Sequence, residues 1–218
     1  MIPSLRTAFN SQWTEGRYAE FRRLLGESAG VPIEFPVSET PCFLPRALMD
    51  ELAATGVELT QQAIGGDAAA AAERVIPERF RGPNQGDVPL FVQVDFGLAR
   101  TANGAIEPRL VELQAFPSLY AFQLALADAY VTAFQPGGPS AFAYASADKE
   151  APPLQTHLDG LTRPAYLDIA RKAIVGDHDP AEVVLMEIAP EKQKTRPDFE
   201  LTEKYWGVRA IEDRKSVV

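Results

Sequence analysis

Cysteine and histidine are scarce in this 218-residue chain, and their scarcity narrows the chemistry it can perform. Cys42 is the only cysteine, so an internal disulfide and a cysteine-based zinc cluster are both excluded. The two histidines, His157 and His178, lie far apart in the sequence. A free cysteine beside a proline is more often a packed small hydrophobic residue than a nucleophile, so we do not expect Cys42 to be catalytic.

Positive charge is also in short supply. The chain has 21 Lys and Arg against 30 Asp and Glu, a formal net charge of -9. Such a chain repels nucleic-acid phosphates and anionic lipid headgroups, and no dense basic cluster counteracts this. No apolar run has the length of a signal-peptide core or of a bilayer span. We therefore expect neither nucleic acid nor a membrane as partner, and a cytoplasmic location.

The residues that are present predict an α/β protein. Apolar residues recur at helical spacing near the N-terminus, with Thr14 placed as an N-cap and Gly26 or Gly30 as a stop. Thr162 is predicted to cap a later helix that runs through Ile174. The expected fold is a hairpin-containing mixed sheet with flanking helices, followed by a C-terminal Rossmann-like β-α-β unit. The expected division is a helical and hairpin substrate-side region at 1–135, a linker or loop at 136–160, the β-α-β unit at 161–212 and a non-native tail at 213–218.

The C-terminal unit is predicted from three consecutive signals. Residues 182–188 form a nearly continuous apolar run, which is typical of a strand covered on both faces. A helix from Thr195 to Trp206 follows, and Gly207 and a short strand at 208–211 come next. Thr195 and Asp198 have the spacing of a capping box, with Pro197 in the first turn.

A β-hairpin is predicted around Asn103-Gly104, between strands at 90–98 and 109–116. If these two residues form a two-residue turn, Asp95 lies opposite Glu112 and Gln93 lies opposite Gln114. All four then share one face. The opposite face carries an apolar set that supports the same register, namely Val92, Val94, Phe96, Val111, Leu113 and Ala115. Because Pro108 cannot donate to the ladder, regular pairing could start beyond it, and a bulge there would change the pairs more readily than the faces.

The facing carboxylates are the most function-like feature of the sequence. Like charges opposite each other destabilise a sheet, so the pair calls for a compensating cation: an arginine, a metal ion or an amine-bearing ligand. A purely structural solution would use Arg100, Arg109 or an arginine of the polar loop at 77–89. Ser118, at the start of the following helix, is either its N-cap or part of an anion site formed by backbone N–H groups.

The hairpin resembles the substrate-side hairpin of glutathionylspermidine-synthase-like and related ATP-grasp proteins. The likeness consists of residues 92–96, the turn at Asn103-Gly104 and residues 110–114, against a family pattern of Asp-Phe, a glycine-containing turn and an apolar pair followed by Glu-x-Asn. Gln114 stands where those proteins usually have asparagine, and Pro117-Ser118 replaces a glycine-rich continuation. These departures prevent the substrate identity from being carried over.

A second likeness lies in residues 183–188, Gln193, residues 197–199 and Gly207, which together resemble the pre-ATP-grasp β-α-β unit. This resemblance implies a carboxylate-amine ligase whose ATP and Mg²⁺ are bound by lobes that follow Ile211, so no cofactor and no catalytic residue are expected in the present chain. Residues 213–218 match the in-frame translation of a common sequencing-library adapter, which indicates a gene truncated before those lobes.

The leading hypothesis is therefore the N-terminal portion of an ATP-dependent carboxylate-amine ligase-like protein. Its substrate-binding residues would be Gln93, Asp95, Glu112, Gln114 and Ser118, and its partner would be a small molecule, with an amine-bearing compound as a candidate. The alternatives are a non-catalytic domain that binds an amine or cation, a purely structural partner subunit, and a hydrolase in which the two acids take different roles. Facing carboxylates on one hairpin lie closer together than hydrolases usually place them.

Overall fold

The computed structural model of the chain describes residues 2–81, 88–115, 118–134, 156–158 and 160–213. Within these residues the chain is mixed α/β, as the sequence predicts, with seven α-helices and four β-strands. The helices are α1 (Pro3–Gln12), α2 (Glu15–Ala29), α3 (Arg46–Ile64), α4 (Gly66–Val75), α5 (Tyr120–Phe134), α6 (Arg163–Ile174) and α7 (Arg196–Trp206). The strands are β1 (Gln93–Arg100), β2 (Ile106–Gln114), β3 (Val184–Glu187) and β4 (Arg209–Glu212). Most of the predicted linker, residues 82–87 of the polar loop, and all of the tail but Asp213 lie outside the described residues.

The chain divides into two compact units. The helical unit consists of Met1–Pro45 and Ser118–Val218, and the hairpin unit consists of Arg46–Pro117. The helical and hairpin region that we expected at 1–135 therefore contributes to both. Within the described residues the strands form two separate two-stranded sheets, an antiparallel β1–β2 pair and a parallel β3–β4 pair.

In the helical unit, three helix ends lie at the capping residues that the sequence predicts. Thr14 Oγ1 accepts a hydrogen bond from the Arg17 backbone N–H at 3.2 Å, and Gly30, with φ of 72°, ends α2 in the left-handed region. Thr162 Oγ1 accepts in the same way from the Ala165 N–H at 3.3 Å and starts α6. These side chains satisfy N–H groups that the helix leaves unpaired, so their boundaries follow from short-range chemistry.

An aromatic cluster forms the centre of the helical unit. The ring centroids of Phe9 and Phe134 lie 4.5 Å apart, and those of Phe21 and Tyr130 lie 4.3 Å apart. Small residues on α5 permit the close approach of neighbouring helices, and three of them are buried at helical spacing: Ala121, Ala125 and Ala129. The helical aromatics of the sequence are thus core residues.

The C-terminal β-α-β unit is present, and its helix ends at Gly207, with φ of 75°. Strand β3 pairs in parallel with β4, from Val184 opposite Arg209 to Glu187 opposite Glu212. The prediction that this strand is covered on both faces is wrong, because Val184 and Met186 are 50% and 64% exposed. The alternate residues, Val183 and Leu185, pack towards the core. Among the described residues, only one face of the β3–β4 pair is therefore covered.

The hairpin unit buries very little. Gly56 on α3 is the only buried residue among those described in this unit. A Cβ atom on Gly56 would lie 3.6 Å from Val94 Cγ2, so α3 lies against the apolar face of β1. Within the described part of the whole chain, no helix combines the length and the apolar character needed to cross a bilayer.

Candidate functional site on the hairpin

The turn of the hairpin differs from the predicted two-residue turn. Gly104 N–H donates to the Thr101 carbonyl and Thr101 N–H donates to the Ala105 carbonyl, both at 2.9 Å. Gly104 has φ of 85°, a value that favours glycine, and Asn103 Oδ1 accepts from the Ala105 N–H at 3.2 Å. The Asn-Gly pair thus forms a turn, but a longer one, and next to it Arg100 faces Ile106.

A bulge in β2 restores the predicted register farther along. The pairing shifts between Asp95 and Phe96, so that Phe96 faces Leu110 and the extra residue is Val111. Beyond the bulge Asp95 faces Glu112, and Gln93 faces Gln114, as predicted. The longer turn and the extra residue therefore cancel at the position of the site.

The bulge also places Val111 on a different face of the hairpin from the one predicted. A Cβ atom on Gly97 would lie 3.6 Å from Val111 Cγ2, so Val111 lies on the side of the hairpin that carries the carboxylates. Its predicted place on the apolar face is wrong, because two consecutive residues of a bulged strand face a single residue of the partner strand. Val111 is 66% exposed and forms an apolar border beside Glu112.

Pro108 does not delay the pairing of the strands. It faces Leu98, and β2 begins two residues earlier, at Ile106. Antiparallel pairs alternate between hydrogen-bonded and non-hydrogen-bonded positions, and the bond from Thr101 to Ala105 places Pro108 at a non-bonded position. Its missing N–H therefore costs no ladder bond.

The four polar residues form one connected group, here called the hairpin network: Gln93, Asp95, Glu112 and Gln114. Gln93 Nε2 donates to Asp95 Oδ1 at 2.9 Å, and Gln114 Nε2 donates to Asp95 Oδ2 at 3.4 Å. Gln114 Nε2 also donates to Glu112 Oε1. The amide of Gln114 therefore bridges two carboxylates that face each other across the strands.

The arginines that would neutralise this pair structurally are engaged elsewhere. Arg109 forms an ion pair with Glu107 at 2.9 Å, and Arg100 donates to the Gly104 carbonyl at 2.9 Å. Among the described residues, neither carboxylate of the hairpin network forms an ion pair. Glu112 is exposed and Asp95 is half-buried, so the two acids present a concentrated negative charge at the surface.

The ligand groups of the hairpin network suit a positively charged group, either a metal ion or an ammonium group. In the described ranges no group of three or more His, Cys, Asp or Glu side chains is arranged to hold a metal ion. The network supplies two carboxylates and two amides, which are oxygen ligands suited to a hard cation or an ammonium group. Its chemistry is therefore that of binding and orienting a positively charged group.

Ser118 belongs to the helical unit, whereas the hairpin network belongs to the hairpin unit, so its role beside the network stays a prediction. Ser118 is exposed and makes no side-chain hydrogen bond with a described residue. At the start of α5 the backbone N–H groups donate to the carboxylate of Asp198. The Leu119 N–H donates to Oδ2 at 3.0 Å, and the Phe122 N–H donates to Oδ1 at 2.8 Å. A side chain of the protein, Asp198 of α7, therefore occupies the place where the sequence predicted an anion site.

The role of Asp198 differs from the one predicted from the sequence, which was to belong to the capping box of its own helix. Thr195 makes no side-chain capping bond, so the predicted capping box is wrong and the carboxylate serves α5 rather than its own helix. Asp198 is only 6% exposed. Its position in the otherwise apolar stretch Pro197-Asp198-Phe199 was the available signal, because a buried acid requires hydrogen-bond donors.

Acidification should reveal the burial of Asp198. Burial raises the pKa of this carboxyl above its ordinary 3.8, against the lowering effect of the N–H groups of Phe122, Leu119 and Ala121. A raised pKa in the folded state contributes stability that is complete below the unfolded pKa and is lost as the pH rises through the folded pKa. From about pH 7 to about pH 4, the wild-type chain should therefore gain stability relative to Asp198→Asn.

Urea unfolding at a series of pH values measures this difference. The exposed Asp50→Asn is the matched control, because its carboxylate only pairs with Arg46 on the surface of α3. A difference between wild type and Asp198→Asn that stayed constant with pH would contradict the burial effect.

Comparison with known proteins gives no information about the candidate site, so its interpretation depends on its geometry. The chain matches no protein-family model, no curated protein and no solved structure. The resemblance to ATP-grasp proteins therefore rests on the residue pattern of the hairpin and of the C-terminal unit.

Proposed function

We propose that the hairpin network binds an amine-bearing small molecule, and that in a full-length parent this is the acceptor side of an ATP-dependent carboxylate-amine ligase-like protein. One observation carries the proposal. Asp95 faces Glu112 in register, and no described cation pairs with either carboxylate. Two unpaired acids held together on a strand pair are costly unless a positive group binds them.

The residues of the hairpin network fit the needs of an ammonium group. An ammonium ion has three donors and no acceptor, whereas ionised Asp95 and Glu112 are acceptors only. The amide groups of Gln93 and Gln114 hold the carboxylates in place through N–H donors, and their own carbonyl oxygens remain further acceptors. Hydrogen bonds between ionised partners are about twice as strong as neutral ones.

The resemblance assigns the remaining chemistry to other parts of the parent. ATP and Mg²⁺ would be bound by lobes outside these 218 residues and would supply the activated carboxylate. The present chain would bind and orient the amine, so no catalytic residue is proposed within it.

Calorimetry of the 218-residue chain tests the amine site. We expect heat of binding with spermidine or a simple amine, and a loss of affinity of about tenfold or more in Asp95→Asn and in Glu112→Gln, since a charged hydrogen bond contributes about 1.5–3 kcal/mol. The matched control is Glu107→Gln, which removes the same charge from the same hairpin at a carboxylate already paired with Arg109. Equal affinities in all three variants, or no heat in the wild type, would sink the proposal.

The second candidate, a non-catalytic amine- or cation-binding domain, is favoured by the same network and predicts the same calorimetry. A full-length parent separates the two. If it releases phosphate from ATP only when both an amine and a carboxylic acid are present, the ligase-like function holds. If it binds amines without using ATP, the binding domain is the better description.

A further inference from the structure

A concave region lies within the helical unit, and none of its lining residues belongs to the hairpin network. It is a cleft of about 310 Å³ between α5 and the residues that lead into α6. Its lining includes Leu124, Asp128, Val131, His157, Leu161 and Arg163. This volume is at the lower end of the roughly 300–1,000 Å³ typical of ligand sites, and it therefore suits a small molecule.

Arg163 provides the fixed positive charge of the cleft. Its Nε donates to Asp128 Oδ2 at 3.0 Å, and its guanidinium carbon lies 5.3 Å from the centre of the Tyr205 ring. These two contacts hold the side chain in place. Its terminal nitrogens form no hydrogen bond with a described residue, so the fork that suits a carboxylate is still free to donate.

His157 places a second donor in the same cleft. Its Nδ1 lies 3.0 Å from Thr156 Oγ1, and its ring packs edge-on against Tyr166 at 5.6 Å. In the tautomer in which Nδ1 accepts from the Thr156 hydroxyl, Nε2 carries the proton. The imidazole then offers one N–H to a ligand.

We infer that this cleft binds a small carboxylate with a short apolar body. Arg163 and His157 would receive the carboxylate, and the apolar wall of Leu124, Val131 and Leu161 would receive the hydrocarbon part. An amine is disfavoured, because an ammonium group has no acceptor for the N–H donors of Arg163 and His157. Inorganic phosphate is disfavoured, because the apolar wall gives it no hydrogen bonds.

Titration of the 218-residue chain with 3-methylbutanoate, followed by NMR of the Leu124 and Val131 methyl groups, tests the inference. Arg163→Gln should weaken binding by about tenfold or more, since a charged hydrogen bond is lost. Arg196→Gln is the matched control, because Arg196 also begins a helix before a proline and pairs with Glu200 at 2.9 Å. Should Arg163→Gln not fold, Arg163→Lys keeps the charge without the fork and should weaken binding several-fold.

Binding of 3-methylbutanoate that is lost in the Arg163 variant and kept in Arg196→Gln supports the cleft as a carboxylate site. Methyl shifts that are absent in the wild type, or equal in the two variants, overturn it. Inorganic phosphate or 3-methylbutylamine that shifts the Leu124 and Val131 methyl groups with equal or tighter affinity also overturns it, since either result contradicts the chemistry assigned to the cleft. None of these outcomes depends on amine binding at the hairpin network.

Discussion

Replacing Asp198 with alanine should lower the free energy of unfolding by about 3 kcal/mol, because buried donors left without an acceptor cost about 1–3 kcal/mol each. The carboxylate receives the N–H groups of Leu119 and Phe122. It also faces a strained backbone, since Leu119 has φ of 71°, a conformation that L residues rarely adopt. Removing the burial cost of the carboxylate offsets only part of this loss, because the donors remain enclosed. Urea or thermal unfolding of the variant measures the change.

Thr162→Ala serves as the control for the Asp198 variant. Thr162 also caps a helix, but its hydrogen bond is exposed, so its loss should cost about 1 kcal/mol. Asp198→Asn should fall between the two, because it keeps one acceptor oxygen. A cost for Asp198→Ala no larger than that of Thr162→Ala would show that the carboxylate does not hold α5.

Phe21→Ala should be at least as damaging, lowering the free energy of unfolding by about 4 kcal/mol through lost burial and the cavity that remains. Phe21 is fully buried, and its ring stacks on Tyr130 at 4.3 Å and lies 6.2 Å from Phe134. The rigid helices around it cannot close a space of this size, so the contacts with both rings are lost.

Phe80→Ala is the control for the core substitution. Phe80 is 65% exposed, so its removal should change the free energy of unfolding by only about 0.5 kcal/mol or less. Chemical denaturation of both variants gives the comparison. If Phe21→Ala cost no more than Phe80→Ala, the aromatic cluster would not be the centre of the core.

The sequence predicts best where the chemistry is local. Thr14, Gly30 and Thr162 were placed correctly because a cap needs only the next few residues. The C-terminal β-α-β order was also correct, since the apolar run and Gly207 mark it within one short stretch. These predictions required no knowledge of distant contacts.

The register of the hairpin shows a different kind of success. The prediction made the turn too short and missed the bulge at Val111. These two errors compensate each other, so the predicted pairing of Asp95 with Glu112 is correct. The facing acids were predicted because alternation of apolar residues selects the face of each strand, whatever the turn. The alternation could not reveal the bulge itself, so Val111 was assigned to the wrong face.

Contacts between residues that lie far apart in the chain could not be predicted from the sequence. The acceptor for the start of α5 comes from Asp198, 76 residues after Phe122, and a nearby Thr195 offered a simpler local partner. The exposed face of β3 was missed for the same reason, since the apolar run cannot tell which side finds a covering layer. The polar lining of the cleft at Arg163 and His157 likewise arises only when α5 packs beside α6.

The sparse interior of the hairpin unit has a consequence for recognition. With Gly56 as its only buried described residue, this unit has little to oppose local opening of its strands, and a ligand of the network must select the paired form. The apparent affinity is the intrinsic affinity reduced by the fraction of molecules in which Asp95 and Glu112 face each other. If the proposed amine site exists, any contact that covers the hairpin would therefore tighten the binding of the amine without contacting the amine itself.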